Sequence, residues 1–157
     1  MTQEEKELLR KDLCARLPYG VKAKVLNEDI LRYDYSSKEG GFIKGIENIN
    51  DGLFIIKCRK DGYVLSYDEF KPYLLPLSSI TDEMMEELNT IGFFKYRDTI
   101  ANVAHLESKN GVSEEIYTYI DIESISALME FFHSHHIDYR GLIEKGLAID
   151  ATGLNVY

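Results

Sequence analysis

Leucines recur every four residues at Leu9, Leu13 and Leu17, with Leu8 beside them, inside an otherwise charged stretch. That spacing places the apolar side chains on one stripe and predicts an amphipathic helix from residue 3 to about 16. Thr2-Gln3-Glu4-Glu5 has capping-box spacing: Thr2 can accept from the Glu5 amide while Glu5 reaches back. Pro18, which carries no amide hydrogen, stops the helix. The period then shortens. In Val21-Lys22-Ala23-Lys24-Val25 apolar and basic residues alternate, as on a half-buried strand with its lysines outward. Gly40-Gly41 opens a second strand over Phe42 to Asn48. Asp51-Gly52 and Asp61-Gly62 flank LFIIKCRK and precede YVLSY, and Asp-Gly favours the positive φ angles of tight hairpins. These signals predict an antiparallel meander, ended at Pro72 and Pro76 because proline is excluded from central strands.

Beyond residue 79 the helical period returns. Thr81 caps a helix to about Asn89, with Asp82 and Glu83 in its first turn. Residues 92–112 are ambiguous, with a helical option over Tyr96 to Leu106. Asp121 caps a helix whose Ile122, Ile125, Met129 and Phe132 form an apolar stripe. Asp138 caps a short last helix that Gly146 ends. The predicted fold is α+β: an N-terminal helix, a small antiparallel sheet or SH3-like barrel, and an acidic C-terminal helical region. Residues 1–80 and 81–157 are its two halves, packed as one domain.

Charge separates these halves. Residues 1–80 carry 13 basic and 13 acidic side chains, whereas residues 81–157 carry 5 and 14, so the whole net charge of −9 lies in the second half. An acidic half repels a phosphate backbone, which disfavours nucleic acid as the partner. The charged N-terminus lacks a secretory apolar core and no apolar run reaches the length of a membrane span, so the expected location is cytoplasmic, away from membranes. Cys14 and Cys58 have no metal-type spacing and are expected to be free thiols.

Three blocks, RLPYGVK at 16–22, KPYLLPLSSIT at 71–81 and HHIDYRGLIEKGLAID at 135–150, resemble segments of a set of small proteins from gut Bacteroidales genomes, their prophages and crAss-like phages. Where those proteins carry arginine before the second proline, this chain has Leu75. The resemblance implies a phage or prophage setting and transfers no activity, cofactor or site residue.

Three of the four histidines fall in His133-Ser134-His135-His136. On a helix His133 and His136 share a face, and with Asp138 or Glu130 they are the weak metal candidates and the basis of a metal-dependent enzyme alternative. No HExxH pattern and no second Cys/His cluster accompany them, so the expectation is no metal, no cofactor and no catalytic residues. Asp138, Tyr139 and Arg140 form a candidate binding surface, Arg140 gripping a carboxylate or phosphate and Tyr139 stacking. The competing structural role pairs Arg140 with an acid such as Asp121 or Glu123. Lys22 and Lys24, with Lys57 and Arg59, form a second candidate surface, and Tyr63 and Tyr67 could stack bases in a single-strand binder. The leading expectation is a non-enzymatic interaction protein that binds a host or phage protein, with single-stranded nucleic-acid binding as the alternative.

Overall fold

The computed structural model describes residues 1–27, 41–48, 53–57, 62–96, 99–102 and 122–157. They group into two units, Met1–Pro76 with His133–Tyr157, and Leu77–Phe132.

The first unit begins with α1 (Gln3–Arg16), whose capping box is formed: Glu5 N donates to Thr2 Oγ1 and Thr2 N donates to Glu5 Oε2. The helix passes into a 3-10 turn at Leu17–Tyr19 that contains Pro18. Strands β1 (Lys22–Val25), β2 (Gly41–Asn48), β3 (Leu53–Lys57), β4 (Gly62–Leu65), β5 (Phe70–Leu74) and β8 (Ile149–Asp150) make a six-stranded sheet in the order β4-β3-β2-β1-β5-β8. The meander β2-β3-β4 is antiparallel, as the Asp-Gly spacing predicts. The sheet is mixed because β8 joins β5 in parallel. The described pairings leave β4 and β8 as its two ends, so the sheet is not closed.

Pro72 does not end the sheet. It lies inside β5, between β1 and β8, opposite Ala23. Proline is tolerated there because pairing with β8 starts one residue later, at Tyr73, so the missing N–H removes no bond on that side. Alternation along β1 and β5 turns Ala23, Val25, Phe70 and Leu74 inward, and Leu9 and Leu13 of α1 join the same fully buried cluster. Each such leucine contributes about 2 kcal/mol by its removal from water.

The second unit contains α2 (Asp82–Thr90), β6 (Phe93–Tyr96) and β7 (Thr99–Asn102), and most of α3 (Ile122–Ser134). Thr81 Oγ1 accepts from Met84 N at 3.3 Å, which confirms the predicted cap of α2. The helical option at Tyr96 is overturned, since β6 and β7 pair as an antiparallel hairpin. Residues 103–121, including Asp121, lie outside the described residues. The apolar stripe expected on α3 is incomplete: Phe132 is buried but Ile125 is 45% exposed.

The last predicted helix is absent as well. Residues 139–146 form successive turns, although both of its expected end signals operate. The Asp138 carboxylate accepts from Leu142 N at 2.9 Å and from Ile143 N at 2.7 Å, and Gly146 ends the turns at φ 68°. A cap and a stop only eight residues apart leave too little chain to offset the cost of helix nucleation.

Candidate functional site

In the first unit the candidate residues gather around a buried ion pair that the leucine spacing conceals. On α1, Leu9, Asp12, Leu13 and Arg16 follow i, i+3, i+4, i+7, and all four are fully buried. Arg16 Nε donates to Asp12 Oδ2 at 2.6 Å and a terminal amino group donates to Asp12 Oδ1 at 3.1 Å. The guanidinium also donates to the Ile137 carbonyl at 2.7 Å, tying the helix to a segment 121 positions away. Arg140 approaches the same carboxylate, its Nε 3.4 Å from Asp12 Oδ1, and lies over the Tyr139 ring at 4.8 Å. Among the described residues the acid beside Arg140 is Asp12, and the expected Asp121 lies outside them.

The histidines are drawn into this cluster one by one. α3 ends at Ser134, and His136 adopts a left-handed backbone, φ 56°, outside the helix. His133 and His136 consequently do not share a helical face. His133 Nε2 is 2.9 Å from the Tyr139 hydroxyl, and its ring packs at 5.6 Å from that of Tyr139. His136 stacks on Tyr157, with ring centroids 3.9 Å apart and planes 11° off parallel. Its carbonyl accepts from Leu75 N, and Asp138 N donates to Leu75 O, so a bridge to the end of β5 holds the strained conformation in place. Asp138 is occupied as a cap. Among the described residues no three His, Cys, Asp or Glu side chains converge as metal ligands.

Around the Asp12–Arg16 ion pair the rings stay uncharged. Burial, reinforced by the Arg16 charge, lowers the pKa of His133, and burial lowers that of His136 to about 4. Burial raises the Tyr139 hydroxyl. Both imidazoles are thus neutral at neutral pH and Tyr139 keeps its proton. Tyr157 is 46% exposed as a residue, but its hydroxyl end is turned from water, which pushes its pKa to about 12; it accepts from Lys22 N at 3.3 Å and donates to Tyr73 O at 2.6 Å. It inserts one hydroxyl between β1 and β5, at the position where the next rung of their ladder would fall. Cys14 is half-buried, free, and joined to no imidazole among the described residues, while Cys58 lies outside them.

The lysine surface has the opposite character. Lys22 and Lys24 alternate with buried Ala23 and Val25, so they face out, and Lys24 pairs directly with Lys71 of β5. By register Lys57 belongs to the row of Lys22 and Phe42, whereas Arg59 lies outside the described residues. Of the two expected stacking tyrosines, Tyr67 is not on this face, being 6% exposed in the core, and Tyr63 pairs in register with Ile56.

Asp12, Arg16 and Tyr157 are the residues that the sequence motifs pass over. A polar pair at the helix spacing of the leucine stripe was a readable signal for the first two; Tyr157 carried none. Among the described residues no helix is long and apolar enough to cross a membrane. Comparison with family models, with curated proteins and with solved structures finds no match, so function has to be argued from this geometry.

Proposed function

We propose that the chain is a non-enzymatic interaction module that binds an acidic segment of a host or phage protein across the outer face of its sheet. The observation that carries this is the Lys24–Lys71 pair: two like charges directly opposite on neighbouring central strands, with no ion pair to either among the described residues. Such a pair costs a few tenths of a kcal/mol in the free protein, and an acidic partner would reverse the sign. The strand order β4-β3-β2-β1-β5 supports an SH3-like architecture for the module, with β8 added beside β5. The phage or prophage setting and the cytoplasmic location rest on the three resembling blocks and on the sequence composition.

Asp138, Tyr139 and His133 contribute to the module by holding its C-terminal segment, since each is engaged within the protein. Nucleic acid is the weaker occupant of the lysine face, because the net charge is −9 and Tyr67 is buried away from it. The test is binding of a labelled poly-glutamate peptide and of a labelled oligo-thymidylate to the intact chain and to K24E/K71E. The peptide should bind, weaken with salt, and lose about tenfold or more in the variant. Preference for oligo-thymidylate would transfer the face to nucleic acid. Failure of both probes would reduce the lysines to edge and solubility residues and remove the proposal.

A further inference from the structure

A second surface, independent of the lysine face, lies along α1. An open depression of about 590 Å³ is lined by Gln3, Glu4, Glu7, Leu8, Lys11 and Arg140. Five of these, at positions 3, 4, 7, 8 and 11, are linked by spacings of three and four along one side of the helix, so the depression has a direction along the helix axis. Its charges are sorted along that direction. Glu4 stands at the N-terminal end without an ion pair among the described residues, and Lys11 and Arg140 stand at the other. Glu7, between them, is already matched: Arg10 donates to it twice, at 2.7 and 2.9 Å, and Lys11 lies 3.5 Å away.

Arg140 is pre-positioned. Its buried Nε faces Asp12 at 3.4 Å and its guanidinium lies over the Tyr139 ring at 4.8 Å, while the side chain, 32% exposed, also lines the depression. A fixed guanidinium beside a lysine is a site for a carboxylate. A lone anion with high charge would be opposed by Glu4, whereas a ligand carrying its own ammonium would not. Seven residues of helix separate Glu4 from Lys11, a rise of about 10 Å. An extended tripeptide spans about the same length. Leu8 lies midway and offers its side chains an apolar contact.

We propose that this depression binds a short zwitterionic peptide, with its carboxylate on Arg140 and Lys11 and its ammonium on Glu4. The groups involved are partly exposed, so the affinity is modest, with Kd about 1 mM. The experiment is an NMR titration of the full chain with trialanine, N-acetyl-trialanine and trialanine amide. Trialanine should give saturable shifts confined to residues 3–11 and 140, and each blocked peptide should bind about fivefold more weakly or worse. Glu4→Gln and Lys11→Gln alter exposed side chains and leave the fold intact, and each should cost a similar factor. Arg140→Lys keeps the charge but loses the fork, and should weaken trialanine more than it weakens trialanine amide. Absence of saturation, equal binding of the blocked peptides, or shifts centred elsewhere would overturn the proposal.

Discussion

Two polar regions of the first unit use charge in opposite ways. Around Asp12 and Arg16 the charges are fully buried, of opposite sign and joined by short hydrogen bonds. On the outer sheet face Lys24 and Lys71 are solvent-facing, of the same sign and directly opposed. A buried pair is strongly destabilised when one partner is lost, because the remaining charge cannot regain water. An exposed like-charged pair costs little and is relieved by any anion that arrives. The first arrangement therefore maintains the fold, and the second is the one that the proposed acidic partner would relieve.

The sharpest way to break this comparison is Asp12→Ala. It leaves Arg16 buried and removes the anchor of Arg140, so denaturant unfolding should show a loss of about 3–5 kcal/mol. If the loss is below about 1 kcal/mol, the cluster is not the structural centre assigned to it.

Acid comes next. The folded pKa of His136 is depressed from 6.5 to about 4, so as pH falls the unfolded chain takes up the proton first. Its contribution is complete above pH 6.5 and is lost progressively toward pH 4, amounting to as much as about 3 kcal/mol. His133, also lowered, acts in the same direction. Thermal melts between pH 7 and 4.5 should record the decline, and His136→Phe, which retains a ring to stack on Tyr157, should flatten it.

Asp138→Ala removes two hydrogen bonds to the turn at Leu142 and Ile143 and should cost about 1–2 kcal/mol. Amide exchange should show the loss first at those two residues. The smallest effect has the opposite sign. Lys71→Glu converts the opposed lysines into an attractive pair, so it should raise stability by about 0.2–1 kcal/mol while weakening capture of the acidic peptide. A variant that is both more stable and weaker in capture would separate the binding face from the folding cluster.

Local patterns were readable wherever one residue's neighbours along the chain decide its conformation. Thr2 and Glu5 closed their capping box, Thr81 capped its helix, and the Asp-Gly spacing located β3 and β4 as a meander. The same local logic failed where a distant partner intervened. Pro72 read as a strand terminator, yet it entered a central strand because the residue beside it, not proline itself, meets β8. The stretch after Phe93 allowed a helix until two short strands paired. Asp138 and Gly146 were correctly placed as cap and stop, but the segment between them packs Leu142 into the core as turns.

The candidate site shows the same division. His133, His136, Asp138, Tyr139 and Arg140 stood out in the sequence by composition, and Lys22 and Lys24 by alternation. Their partners did not, because an ion pair leaves no trace in spacing when its members are far apart in the chain. Asp12 meets Arg140, Arg16 meets Ile137 and Tyr157 meets Lys22 across more than a hundred positions each. The sequence by itself determined the first helix, its cap, the lysine-bearing strand and the meander, through periodicities that act over three or four residues. Only the tertiary structure decided that the histidine segment closes on tyrosines, that Asp12 holds two arginines and that Lys24 faces Lys71. Those outcomes depend on which distant segments the buried leucines of α1 bring together.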